Sequence, residues 1–410
     1  MDSRRDTALI LAARGLRALI VGFGAVLLGA SLSAKGWPSS QVGLLLTAIL
    51  AGTALASIAV GMFGDRIGRR RVYALLYVVL AAAGAAFGLT DNFGILILAA
   101  LTGTLSTQVI ESGPFTSLEQ TMLAAELDSR TRTRVFGTYN ATATLVGSAG
   151  ALLAGTPALL QPFWPRIPSD QRLFLAFIPV GLACAAVTLA LSDRVEPSDE
   201  QARMRVSLRR SRAAVLSLAG LFAVDAFAGG FVVQSFIAYW FSLRFGLSLG
   251  VLGVIFSASG LLQAASLLAA PRLAERIGLL NTMVFTHLPS NLLLAAIPVA
   301  PTWPLAMALL LARQSLSQMD VPTRQAYVIA LVDPHERTAA VAYTNTARYV
   351  GAPLAPVVAG MVQQAAVGLP FFLGGGIKIA YDLALWWRLR RVPLASEAPG
   401  LTGLQAAGGT

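Results

Sequence analysis

Cysteine and histidine are nearly absent from this chain, which has one cysteine, Cys184, and two histidines in 410 residues. A lone cysteine excludes a disulfide framework and a cysteine-based metal site. His287 and His335 fall on different segments, so no nucleophile–base pair or metal-ligand cluster is legible. That counts against an enzyme, including one embedded in a membrane and acting on lipid. No G-x-x-x-x-G-K-[ST] loop occurs, so nucleotide hydrolysis is not the energy source, and no cofactor is expected. Charge is scarce as well. Only 12% of residues are Asp, Glu, Lys or Arg, about half of what a soluble domain carries.

What the chain has instead is apolar length. Hydrophobic residues make up 56% and the mean hydropathy is +0.68. A bilayer core of about 30 Å needs about 20 apolar residues per helix. Segments of that kind fall at 8–33, 41–62, 72–90, 93–114, 134–158, 171–191, 213–241, 247–270, 278–300, 303–322, 338–364 and 367–387. The reading is an all-α membrane protein of twelve spans, with the basic, apolar N-terminus retained as the first of them. Its partner is a lipid bilayer.

The net charge of +11 is placed in the short gaps between spans, as membrane orientation requires, and not along a polar face fit for nucleic acid. Arg4, Arg5, Arg66, Arg69, Arg70, Arg71, Arg130, Arg132, Arg209, Arg210, Arg272, Arg276, Arg324, Arg337 and Arg388 share one side. Lys35, Arg166, Arg172 and Arg244 hold the other. Both termini are therefore expected in the cytoplasm.

The polar stretch 192–212 divides the chain into halves at 1–191 and 213–391, followed by a tail at 392–410. The halves echo one another. "GDRIG" (Gly64 to Gly68) returns as "AERIG" (Ala274 to Gly278), 210 residues on. Gln120, Asp128, Arg132, Thr133 and Asn140 return 205 residues on as Gln325, Asp333, Arg337, Thr338 and Asn345. Equivalent loops on one side imply parallel repeats about an axis along the membrane normal.

The stretch "GMFGDRIGRRR", Gly61 to Arg71, resembles the loop between helices 2 and 3 of the major facilitator superfamily, G-x-x-x-D-R-x-G-R-R. Twelve spans, a long central loop and a weaker second copy resemble that family too. The resemblance implies a transporter whose two six-helix halves rock about a central site, functional as a monomer in a bacterial inner membrane. It also implies a gate in which Asp65, supported by Gly61, Arg66, Gly68, Arg69 and Arg70, meets the start of helix 11, here "ERTAAVAYTN" from Glu336 to Asn345. Glu275 and Arg276 stand in the second copy. Two family features are missing. Helix 5, "LVGSAGALLAG", has no proline, and "ILILAALTGT" lacks the arginine often found early in helix 4.

A charged side chain at the bilayer centre costs about 2.5–3.5 kcal/mol even on the lenient scale, so each one needs a partner or a wet cavity. At 1.5 Å per residue, Asp225, Arg313 and Arg348 fall near mid-depth, with Arg17, Glu111 and Asp320 shallower. The family's cavity is lined by helices 1, 4, 7 and 10, which makes Arg17, Glu111, Asp225, Arg313 and Asp320 candidates for proton coupling or substrate contact, with Arg348 beside them. The bland alternative is a set of structural ion pairs, such as Asp225 with Arg313 or Arg348. Gln234, near the outer end of helix 7, is a further substrate candidate. Lys378 and Asp382, four apart, are expected to satisfy each other, and His287 reads as a lone polar residue. The expected function is proton-coupled export of a small organic molecule, with proton-coupled uptake of an organic anion as the alternative. A non-transporting sensor is the further alternative from another class.

Overall fold

The computed structural model describes residues 2–107, 113–126, 129–168, 170–196, 211–332 and 336–391. Helices account for nearly all of it. In chain order they are α1 (Asp2–Ala34), α2 (Ser39–Ile67), α3 (Arg69–Leu89), α4 (Phe93–Leu101), α5 (Pro114–Glu126), α6 (Ser129–Leu153), α7 (Thr156–Leu160) and α8 (Phe177–Leu189). The second half holds α9 (Arg212–Gly230), α10 (Gln234–Phe245), α11 (Leu249–Ile277), α12 (Leu279–Ala296), α13 (Trp303–Gln314), α14 (Asp320–Leu331), α15 (Arg337–Gly351), α16 (Ala355–Ala365) and α17 (Leu369–Leu389). Among the described residues seven helical stretches are long and apolar enough to cross a membrane, one of them, Arg212–Phe245, across the break between α9 and α10. Taking α4 with α5, α9 with α10, α13 with α14 and α15 with α16 as broken spans makes the set consistent with twelve.

The breaks have local causes. Gly229 and Gly230 precede the gap between α9 and α10, and Gly103, at φ +71°, follows α4. Pro353 and Pro356 interrupt the ladder between α15 and α16, since neither can donate a backbone hydrogen bond. A broken helix inside a bilayer exposes polar backbone, which is tolerated where it faces protein or a cavity. The freed groups here find partners in the facing half: Ser235 donates its N–H to the Thr107 carbonyl (3.0 Å) and its hydroxyl to the Ala25 carbonyl (2.8 Å).

The repeat is visible in the backbone. Gly68 joins α2 to α3 at φ +103°, and Gly278, 210 residues later, joins α11 to α12 at φ +86°. Only glycine adopts these angles without strain, which explains both terminal glycines of "GDRIG" and "AERIG".

The halves meet through small residues that let backbones touch. A Cβ on Gly29 would lie 2.4 Å from the Ser235 carbonyl oxygen, one on Gly43 2.3 Å from that of Pro356, and one on Gly253 2.8 Å from that of Ala151. Ser39 and Tyr239 share a hydroxyl contact at 3.3 Å, and the Val357 N–H donates to Thr47 at 3.0 Å. Among the described residues, the hydrogen bonds and tight approaches between halves lie toward the end away from the Gly61–Arg71 loop. The loop end is splayed.

Within the first half, α1 and α6 are equally close: a Cβ on Gly22 would sit 2.0 Å from the Gly147 oxygen. Gly22→Leu is therefore expected to lower the melting temperature of purified protein, with a cost of about 1–3 kcal/mol for overpacking. An unchanged melting curve would contradict this packing.

Candidate functional site

Asp225 is buried near the end of α9 and is held from three other helices. Lys378 Nζ of α17 donates to Oδ1 at 2.5 Å, Arg348 of α15 donates to Oδ2 at 2.7 Å, and Arg324 of α14 lies 3.6 Å from Oδ2. Arg324 in turn donates to Asp320, one turn earlier on α14, at 2.5 Å. Arg348 is the exposed member: its side chain is 30% accessible, against 9% for Lys378 and for Arg324. One cation of the cluster thus borders open space while the others are sealed in.

Two sequence expectations change here. Lys378 does not pair with Asp382; it reaches across to Asp225. His287 is not alone: its Nδ1 lies 2.8 Å from Asp382 Oδ1, and Asn291 donates to Asp382 Oδ2 at 2.9 Å. A side chain on α17 can face α9 or α12, and spacing within one helix does not say which.

The first half holds a matching cluster of opposite design. Arg17 of α1 grips the fully buried Glu119 of α5 with one nitrogen, at 3.0 and 2.8 Å to the two carboxylate oxygens. Tyr73 of α3 donates to one oxygen and Tyr139 of α6 to the other, both at 2.5 Å. Arg17 stacks on Phe115, 4.6 Å from its centroid, a cation–π contact. Arg17 and Asp225 stand 208 residues apart, Glu119 and Arg324 stand 205 apart, close to the repeat offset. The two halves thus carry an arginine–carboxylate pair at related places with the charges exchanged.

Glu119 and Arg324 are site residues that sequence reading missed. Both follow a proline, Pro114 or Pro322, taken as the end of a span. In the structure Pro114 opens α5 and Pro322 sits in the first turn of α14, where a missing N–H costs nothing. Glu111 lies outside the described residues. Arg313, in the last turn of α13, donates to Gln314 at 3.1 Å, and among the described residues no carboxylate lies within ion-pair distance of it. Gln234 opens α10 at the closed seam, where its neighbour Ser235 bonds the first half and Trp240 donates to the Val367 carbonyl at 2.8 Å.

In the loop, Asp65 is largely exposed and accepts from Arg69 of its own half at 2.7 Å. Glu196 accepts the backbone N–H groups of Arg69 (2.6 Å) and Arg70 (3.1 Å), placing a carboxylate on the positive end of α3. Arg70 also donates to the Leu191 carbonyl at 2.7 Å. Gly61, Arg66, Glu275 and Arg276 are exposed, and Gly64 packs on Leu118.

At the other end a cavity of about 640 Å³ is lined by Leu27, Ser31, Lys35, Asp91, Arg172 and Leu249 among others. Lys35 donates to Asp91 and Gln171. The Lys35 bond first, and one with the Gln171 side chain second, hold the Asp91 carboxyl below its ordinary range. None of the buried charges of the second half lines this cavity.

Comparison with known proteins agrees with this architecture. A family model described as Major Facilitator Superfamily matches residues 10–311 and 225–407. An uncharacterized membrane protein of Saccharomyces cerevisiae, YJR124C, is 24% identical over 93% of either chain. A bacterial homolog of the human lysosomal transporter Spinster, solved inward-facing and unoccupied, superposes with a TM-score of 0.72 at 14% identity, covering 97% of this chain and 99% of that one. The nucleoside transporter NupG gives 0.70 at 13% identity, covering 93% and 98%. At these identities the solved structures speak for the fold alone. With the family model spanning most of its length, the chain belongs to the major facilitator superfamily.

Proposed function

We propose that this protein is a secondary transporter that exports a small organic molecule in exchange for protons, by alternating access, with Asp225 as the coupling carboxylate. The observation that carries the reading is the Asp225 cluster. A buried carboxylate beside a helix break is shared by cations from three separate helices, and one of them, Arg348, borders open space. Such a carboxylate can exchange a cation for a proton as the helices move, so that proton and substrate alter each other's affinity. The test uses proteoliposomes loaded with a pH-sensitive dye, challenged with compounds that raise the melting temperature of the purified protein. Export by exchange predicts that such a compound, placed opposite a proton gradient, drives proton movement. Stabilising compounds that never move protons would overturn it.

The splayed loop end supports the gate. Gly43 meets Pro356, and Thr47 meets Val357, so antiparallel α2 and α15–α16 are in a register that continues to Asp65 opposite Arg337. Asn345 lies on α15 and is exposed. The same reasoning from Gly253 on Ala151 sets Glu275 opposite the first turn of α6. When the splayed end closes, Asp65 leaves Arg69 for the start of α15. Asp65→Asn is expected to hold this end open, seen as faster thiol labelling of Asn345→Cys in a Cys184→Ala background. An unchanged rate would leave Asp65 a residue of topology only. The arginine-rich end is the cytoplasmic one by the positive-inside rule, which puts both termini on the cytoplasmic side.

A second reading, uptake of an organic anion with protons, is favoured by Arg313. A cation at membrane depth with no carboxylate in ion-pair distance among the described residues, and only Asp320 within electrostatic reach, offers a counter-charge to an anionic substrate.

A further inference from the structure

The pair formed by His287 and Asp382 has no part in the gate or in the direct grip on Asp225, yet it is built with care. Asp382 is fully buried and His287 nearly so. The carboxylate takes the imidazole on one oxygen (2.8 Å) and the Asn291 amide on the other (2.9 Å). With Asp382 ionised and able only to accept, the 2.8 Å bond places the hydrogen on Nδ1 and leaves the Nε2 lone pair as the basic position, while the Asn291 amide nitrogen, 3.2 Å from Nδ1, donates to the carboxylate. Lys378 stands one turn before Asp382 on α17 and extends its chain to Asp225 instead.

We propose that His287 and Asp382 form a proton-binding site, and that Lys378 transmits its state to Asp225. The proposal deepens the reading of proton coupling by naming where the proton rests. With a neutral imidazole, three carboxylates (Asp225, Asp320, Asp382) balance three cations (Arg324, Arg348, Lys378). A proton on Nε2 makes His287 a cation that neutralises Asp382 by itself. Lys378 then belongs wholly to Asp225, and the cluster holds one positive charge too many. Arg348, 30% accessible where the others are sealed, is the member that can leave for open space. Its release loosens α15 from α9, and α15 carries the start that the gate requires.

The groups around the imidazole are few. From α17 it meets Asp382, Lys378 and Tyr381, whose ring lies 6.3 Å away edge-on. Asp225 of α9 is within electrostatic reach. The packed helix α14 brings Asp320, Arg324 and Tyr327, α13 carries only Arg313, and α11 only Arg272, Glu275 and Arg276 near its far end. No second histidine competes among them.

Because the chain has two histidines, His335→Gln leaves His287 as the sole imidazole. Protein without a histidine tag, carrying ¹⁵N-histidine and this change, is titrated by NMR in detergent. The ¹⁵N pattern of that imidazole is expected to pass from the singly to the doubly protonated form on acidification, and Asp382→Asn to alter that response. In parallel, labelling of Asn345→Cys in the Cys184→Ala background is expected to differ about tenfold between the two forms, within what one linked proton allows. His287→Gln should flatten the profile. An imidazole whose signals never respond to pH, or a pH-dependent labelling profile that survives His287→Gln, overturns the proposal. Neither readout needs transport, so failure of the export reading would show separately, as stabilising compounds that move no protons.

Discussion

Asp225→Asn is expected to abolish proton-driven accumulation while substrate binding survives. The amide keeps the shape of the carboxylate, but its one oxygen can accept from only one of Lys378 and Arg348, and it cannot bind and release a proton or neutralise a cation. Removing one partner of a buried ion pair also costs about 3–5 kcal/mol, because the remaining charges are left uncompensated. The single variant should therefore melt lower as well as fail to couple. Asp225→Asn combined with Lys378→Met removes one charge of each sign and should recover much of the melting temperature without recovering coupling. A double variant that is stable and still drives pH-dependent transport would make Asp225 a structural residue.

Glu119 predicts the opposite separation. Its carboxylate accepts from Arg17, Tyr73 and Tyr139, so every lone pair has a use and no exposed cation waits beside it. Glu119→Ala takes from Arg17 the buried carboxylate it grips and should cost about 3–5 kcal/mol, enough to lose most folded protein in size-exclusion chromatography. Arg17→Met with Glu119→Leu, which replaces the pair by apolar volume, should restore folded protein and leave transport in place. Loss of transport in a well-folded double variant would show that the first half's pair also takes part in coupling.

The sequence carried the fold through its apolar lengths and through two glycines. Gly68 and Gly278 recur at the repeat offset because both must take a positive φ, so the motif and the joint are one observation. The breaks fall at residues that allow them, Gly229 and Gly230 before the one in α9–α10 and Pro353 and Pro356 at the one in α15–α16. The site was less legible. Asp225 and Arg348 emerged from depth, since a charge at membrane depth must be explained wherever it points, and Asp320 from its place on a helix that lines the cavity in the family it resembles. Glu119 and Arg324 did not, because a proline that starts a new helix inside a span looks in sequence like one that ends it. The partners of Lys378, Asp382 and His287 depend on how α17 is rotated between α9 and α12, which no spacing along one helix records.

The central claim is that the two halves rock, closing one end as the other opens. Pulsed EPR tests it with one spin-label pair at Ile67 and Ile277, exposed at the splayed end, and another at Phe163 and Val299, exposed at the opposite end. On changing pH or adding a stabilising compound, the account predicts that the first distance shortens and the second lengthens in the same fraction of molecules. Distances that stay fixed, or that change at one end without the other, would contradict it.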